Sequence, residues 1–211
     1  MSKVLLITSS PRGEASHSSR VARTLADQLA SGDPKSTVTV RDLFKEPLPH
    51  IGEHFVTALF APPENHTPAQ SAAVALSDRL IAELFAADVI VIASAMINFG
   101  ISSTLKTYID YVLRKGVTFR YTENGPEGLV KGKKAYIVRA SGGVYSEGDH
   151  KPLNFQDPYL KLVLGFIGIT EVETIHIEGI AYGPEATDKA LAAATKHVAT
   201  IPPHQATGLA A

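Results

Sequence analysis

The chain has no cysteine and no tryptophan, only two methionines, and no surplus of charge of either sign. Without cysteine there is no disulfide, no thiolate nucleophile and no Cys-bound zinc or iron–sulfur site. Twenty Lys and Arg stand against 21 Asp and Glu, a net charge of -1, so nothing drives electrostatic binding to nucleic acid or to an anionic membrane. The most apolar stretches, around 89–95 and 160–169, fall short of the roughly 18 residues a membrane span needs. Met1-Ser2-Lys3 leads straight into an apolar segment with no basic leader, so no signal peptide is expected and a cytoplasmic location is. The glycine pattern G-x-G-x-x-G and a Walker lysine are also missing after the first apolar segment.

What is present is ordinary for a folded protein: 211 residues, 45% apolar and 19% charged, enough for one domain with a sizeable core. That domain is expected over 1–201; the tail 202–211, without apolar period, is expected to be disordered.

Strand-like and helix-like segments alternate along it. Val4-Leu5-Leu6-Ile7 reads as a buried strand, and Val21, Leu25 and Leu29 as the inner stripe of a helix that Gly32-Asp33-Pro34 stops. Val38 and Val40 alternate with Thr37, Thr39 and Arg41, as in an edge strand. A proline-bearing connection, 43–66, should hold no more than one turn of helix. Thr67-Pro68-Ala69-Gln70 is a capping box with proline at the first helical position, opening a helix striped by Leu76, Leu80 and Leu84. Further strands are expected at 88–93, 135–138 and 172–177, and helices from about Ser102 to Lys115, from an Asp157-Pro158 cap to about Gly165–Gly168, and over 184–200. The polar, turn-rich stretch 116–132 reads as an excursion outside the layers.

Strands alternating with helices make a parallel sheet covered by helices on both faces. The continuously apolar first, third and fourth strands belong inside and the mixed second and fifth at the edges. The expected fold is therefore α/β, a doubly wound five-stranded parallel sheet of order 2-1-3-4-5, with a ligand at the carboxyl ends of strands one and three.

Three loops follow the inner strands. The first, Ser9-Ser10-Pro11-Arg12-Gly13-Glu14-Ala15-Ser16-His17-Ser18, crowds hydroxyls at a helix N-terminus. Ser10, Ser16, Ser18 and the His17 backbone would suit the phosphate of flavin mononucleotide. Capping the helix explains Ser16 or Ser18 as well, and on this loop alone it is the first reading. After the third strand, Met96-Ile97-Asn98-Phe99 offers backbone amides and the Asn98 amide to a flat heterocycle; a plain turn with Phe99 packed inward is the alternative. After the fourth, Ala140-Ser141-Gly142-Gly143 allows close backbone approach or positive φ, or is merely a flexible hairpin. Together at one sheet edge, the three loops point to one ligand.

The chain resembles the FMN-dependent NADH:azoreductases, flavodoxin-like homodimers related to the NAD(P)H:quinone reductases. The resemblance runs from Met1 to about Glu185. Its most specific segments are Val117-Thr118-Phe119-Arg120-Tyr121-Thr122-Glu123-Asn124-Gly125-Pro126, Leu164-Gly165-Phe166-Ile167-Gly168-Ile169 and Glu178-Gly179-Ile180-Ala181-Tyr182-Gly183-Pro184. It implies a flavodoxin-like fold, bound FMN with its phosphate at Ser10 and Ser16–Ser18, and its ring at Met96–Phe99 and Ala140–Gly143. It implies NADH as donor, and quinones and aromatic azo compounds as acceptors reduced by ping-pong hydride transfer. Phe119, Tyr121 and Tyr145 are expected to wall the acceptor pocket, and no side chain is assigned as acid or base. The family often carries Tyr where Ile97 stands, and some members carry His where Tyr145 stands. The exposed aromatics of 116–132 suggest a homodimer with each pocket completed by the other subunit. The alternative function is a flavodoxin-type electron carrier that binds protein partners.

Two other patterns carry less. His50-Ile51-Gly52-Glu53-His54 has the H-x-x-E-H spacing of a metallopeptidase, but Pro47, Pro49 and Gly52 disfavour the helix that would align both imidazoles. Tyr111 and Lys115 have the Y-x-x-x-K spacing of short-chain dehydrogenases without the glycine fingerprint that accompanies it.

Overall fold

A computed structural model describes residues 1–205. Five parallel strands form the central sheet: β1 (Lys3–Thr8), β2 (Thr37–Asp42), β3 (Val89–Ala95), β6 (Lys134–Ala140) and β7 (Glu171–Ile177). Their order is β2-β1-β3-β6-β7, which is the expected 2-1-3-4-5 once the hairpin strands are set aside. Those two, β4 (Phe119–Thr122) and β5 (Gly125–Gly128), pair antiparallel inside the 116–132 excursion.

Side chains on the inner strands alternate between two cores. Leu5, Ile7, Ile90, Ile92 and Ile137 pack on one face against α3 (Pro68–Ala86), α4 (Ser103–Val112) and α5 (Gln156–Ile167). Val4, Leu6, Val89, Val91 and Val138 pack on the other against α1 (His17–Ala30) and α6 (Pro184–Thr200). Both faces being covered explains why these strands read as unbroken apolar runs. β2, at the edge, has no buried residue.

The helix signals act as expected at α3, where the Thr67 hydroxyl accepts the Gln70 amide and the Gln70 side chain accepts the Thr67 amide. The start of α5 differs. Asp157 lies within its first turn and receives no capping role; the Asn154 side chain accepts the Asp157 amide at 3.1 Å instead. The connection 43–66 holds a short α2 (Glu53–Ala58), whose Phe55 ring sits 4.9 Å from Tyr111. His50 precedes that helix and pairs with the Thr107 hydroxyl, so it does not share a helical face with His54.

At the amino edge of the sheet the Ser2 hydroxyl meets His204 Nδ1 at 3.0 Å, and the His204 amide donates to the Leu29 carbonyl. Residues 206–211 of the expected tail lie outside the described residues. Among the described residues no helix is long and apolar enough to cross a membrane.

The hairpin is welded to α5. The Val130 amide donates to the Ile167 carbonyl, and a Cβ placed on Gly128 would lie 2.1 Å from the Gly168 nitrogen. Gly168 closes α5 with φ 106, a conformation that favours glycine. Gly128→Ala should therefore cost about 3 kcal/mol, since backbone cannot yield as a flexible side chain would. Gly165→Ala, with open space at its Cβ, should stay within about 1 kcal/mol of wild type. Urea denaturation of both variants measures the difference.

Candidate active site

The loops after β1, β3 and β6 converge because those strands run in register. Thr8 stands beside Ala93, and Ala95, Ala140 and Ile177 form one row. Two adjoining hollows open between the loops, sharing Met96 and Gly142.

The first hollow is lined by Ser10, Ser16, His17 and Ser18 from the β1 side, and by Met96, Ile97, Ala140, Ser141 and Gly142 from the others. Its floor is the N-terminus of α1. Ser16 is the N-cap: its Oγ accepts the Ser19 amide at 3.3 Å and lies 3.3 Å from Ser18 Oγ. Capping thus holds, but it does not exhaust the site. It leaves the amides of His17 and Ser18 at the positive end of the helix dipole, with three buried serine hydroxyls around them. Arg12 lines the same hollow; burial, followed by the charges of Arg12 and Arg20, pushes the His17 imidazole below its ordinary pKa. The sequence reading did not select Arg12, although an arginine beside a hydroxyl-rich loop is the residue an anion calls for. Ala95 and Ile180 also line the hollow and were not selected.

Met96, Asn98, Phe99, Gly142 and Tyr145 line the second hollow. Ile97 and Gly100 exchange amide–carbonyl bonds of 3.0 Å, closing a tight turn over Asn98 and Phe99. Both central residues have positive φ, 47° and 71°. Asn tolerates that region, but for Phe it is strained, at about 1–3 kcal/mol. Among the described residues, neither the Asn98 nor the Phe99 amide has an acceptor. Phe99 is not packed inward: it is 45% exposed, with its ring edge-on to Tyr145 at 6.3 Å. The paired glycines do not use positive φ. Their surroundings are close: a Cβ would come within 3.3 Å of Ala181 at Gly142 and 3.2 Å of the Tyr145 ring at Gly143, so either neighbour would have to shift by a few tenths of an ångström. Gly143 lines neither hollow; its carbonyl accepts the Ser141 hydroxyl at 2.8 Å.

Phe119 and Tyr121 line neither hollow. Within one chain they belong to the hairpin, where Phe119 packs on Phe166 at 4.7 Å and Tyr121 is 62% exposed beneath Lys115. Of the three aromatics expected to wall the acceptor pocket, the chain's own fold brings Tyr145 to the hollows. The hairpin is anchored at the C-terminal end of α5, where the Val130 amide meets the Ile167 carbonyl, whereas the N-terminal end of α5 adjoins the second hollow, the Phe155 amide donating to the Phe99 carbonyl at 3.0 Å.

Beneath the β6 loop lies a charged group the sequence reading passed over. Arg139 is fully buried on β6, beside Ser94 of β3 and His176 of β7. It donates through Nε to His176 Nδ1 at 2.9 Å and through Nη2 to Glu178. Glu178 also accepts the Tyr145 amide at 2.7 Å and the Ser146 hydroxyl. These partners hold the Glu178 carboxyl below the usual carboxylate range, against the opposing effect of its burial. Burial and the Arg139 charge push the His176 imidazole below its ordinary value.

A family model described as flavodoxin-like fold matches residues 2–201. The FMN-dependent NADH:quinone oxidoreductase 1 of Rhizobium etli is 57% identical over 201 residues, covering 95% of this chain and 98% of the relative. The FMN-dependent NADH:quinone oxidoreductase of Mesorhizobium japonicum is 50% identical and covers 99% of both chains. Among solved structures, an azoreductase from Bacillus anthracis superposes with TM-score 0.87 at 33% identity, covering 95% of this chain and 98% of that one. An FMN-dependent NADH-azoreductase from the same organism, in complex with FMN, superposes with TM-score 0.84 at 25% identity, covering 95% and 99%.

His176 gives a pH test of the buried network. Its Nδ1 accepts the Arg139 Nε–H bond, so the folded ring is neutral and a proton would set donor against donor. The unfolded chain takes up that proton first. Stability is then full above about pH 6.5 and falls as pH drops through the lowered folded value. Glu178 acts in the same direction further down, its contribution present above the unfolded carboxylate value and lost in acid. His176→Asn keeps an acceptor and removes the titration; its urea midpoint should be flatter than wild type between about pH 7 and pH 5.

Proposed function

The chain belongs to the flavodoxin-like family, and from that premise we propose that it is an FMN-dependent oxidoreductase, taking electrons from NADH and delivering them to quinones and aromatic azo compounds. One observation carries the reading: an anion cradle and a flat, strained-edge slot share two residues at the carboxyl ends of β1, β3 and β6. The names of its relatives among the NADH:quinone oxidoreductases and azoreductases support it.

The residues fit the cofactor. Buried hydroxyls, free helix amides and Arg12 are the donor set of a phosphate dianion, and the hollow beside them is shallow and edged by backbone. Ser10, Ser16, Ser18 and the His17 amide hold the phosphate. Met96 to Phe99 and Ala140 to Gly142 would hold the ring, with Gly143 supporting the loop, and the free amides of Asn98 and Phe99 would be donors for its polar atoms. The chemistry supplied by bound FMN is hydride transfer, from NADH and then to the acceptor. The chain's own part is to bind, orient and shield. Phe99 and Tyr145 wall a slot suited to flat molecules, since stacked rings gain about 0.5–1.5 kcal/mol beyond area burial. One slot serves both substrates, so the oxidised nicotinamide leaves before the acceptor enters. An azo bond consumes two such rounds where a quinone consumes one.

The working unit is a homodimer of the 1–201 domain in the cytoplasm, where NADH is made. Phe155 and Leu162, 63% and 67% exposed, form an apolar face with Ile101 and Tyr159 next to the slot. A second copy laid on such a face closes the open side of the slot. It also gives the exposed Tyr121 a pocket to complete that its own chain does not offer. Small-molecule acceptors are favoured over the protein partners of an electron carrier by the near-neutral charge of -1 and by the aromatic walls.

The purified protein should be yellow and bind about one FMN per chain, there being one cradle at the strand-one/strand-three crevice. Initial rates at several fixed quinone concentrations should give parallel double-reciprocal lines. Colourless protein that gains no flavin signal on titration would end the flavin reading, and intersecting lines would end the shared slot. Light scattering should give twice the 22.5 kDa chain mass. Tyr121→Ala should then raise the KM for a quinone by about threefold or more without altering FMN affinity, as a partner-supplied wall requires.

A further inference from the structure

Tyr145 is held by side chains at both ends of its own peptide unit. Its amide donates to Glu178 at 2.7 Å, and its carbonyl accepts the Asn154 side-chain amide at 3.3 Å. The ring then lies across Gly143 and edge-on to Phe99. Glu178 is the firmer of the two anchors. One carboxylate oxygen takes both Arg139 and the Tyr145 amide, and the other takes the Ser146 hydroxyl. Neighbouring main-chain bonds, Gly179 to Gly143 and Ala181 to Gly142, register the rest of the loop on the segment that carries Glu178.

A fully buried arginine is an expensive way to stabilise a fold, because desolvation offsets its attraction to a carboxylate. It is an effective way to fix a carboxylate in one orientation, because charge-assisted bonds are short and directional. Main-chain bonds hold the loop after β6 as far as Gly143; beyond them the Glu178 carboxylate is the acceptor that fixes the Tyr145 amide.

We propose that Glu178, oriented by Arg139, is a positioning residue for the acceptor slot, setting the Tyr145 ring against Phe99 and so fixing the slot's width for flat substrates. This rests on the flavin reading above, and the test separates the two. Glu178 lines neither hollow and acts through Tyr145, so its removal must show as a change in acceptor binding that disappears once the Tyr145 ring is gone.

The experiment uses FMN-loaded dimer and compares Glu178→Gln, Ser146→Ala and Tyr145→Ala with the paired variants that combine Tyr145→Ala with each of the other two. FMN dissociation constants are read by flavin fluorescence, and kcat and KM with a naphthoquinone at saturating NADH. In Glu178→Gln the KM for the naphthoquinone should rise about tenfold with kcat within about twofold, the loss expected for one charged hydrogen bond. FMN affinity should stay within about threefold, and in the Tyr145→Ala background Glu178→Gln should add less than about twofold. Effects that multiply across the pair would place Glu178 in the general stability of the fold and overturn the proposal, as would an unchanged KM, with flavin binding intact in either case. Failure of wild type to bind FMN would overturn the flavin reading and this inference with it. Should Glu178→Gln not fold, Ser146→Ala supplies the same cycle, with a KM rise of about threefold that must vanish without the Tyr145 ring.

Discussion

Everything at the site depends on the in-register parallel pairing of β1, β3 and β6. Hydrogen bonding level with one another, the three strands release their chains at one edge of the sheet. Three loops with unrelated sequences are thereby forced into a space a few residues across. β1 stops two residues below the row of Ala95 and Ala140. At about 3.3 Å per residue, that step is about 7 Å along the strands. A ligand with a charged end and a flat end is what such a stepped recess accommodates.

Covering both faces of the sheet leaves little freedom elsewhere. A buried position on the inner strands can carry a charge where a partner neutralises it, and among the described residues Arg139 is that case. The slot concentrates its irregularities in the same place: positive φ at Asn98 and Phe99, and a main-chain amide, that of Tyr145, held by a carboxylate. Regular secondary structure stops where the ligand begins.

What could be read from the residues was local. The Thr67–Gln70 box, the Leu25 and Leu80 stripes and the apolar runs of β1 and β3 each reveal themselves within a few positions, and the strand order follows from their alternation. What stayed hidden depended on residues far apart in the chain. A strand ending at Val138 was the natural reading because Arg139 is charged; its partner Glu178 lies 39 positions on. Asp157-Pro158 resembles a cap, yet Asn154 does the capping through a loop whose path no period encodes. The hairpin was within reach: Asn124-Gly125 between Phe119/Tyr121 and Gly128 is a turn signal that the surrounding polarity masked. For the glycine pair, close approach and positive φ were equally open; the structure has tight clearance there and puts the strained dihedrals on Asn98 and Phe99.

The bond between Ser2 and His204 brings the two ends of the described chain together at the amino edge of the sheet. The site lies at the carboxyl edge, a strand's length of about 20 Å away. A tether leaving from either of these residues therefore departs from the face opposite the slot. Molecules anchored by such a tether to a bead or an electrode would stand with their redox site turned outward, and both ends would lead to the same orientation.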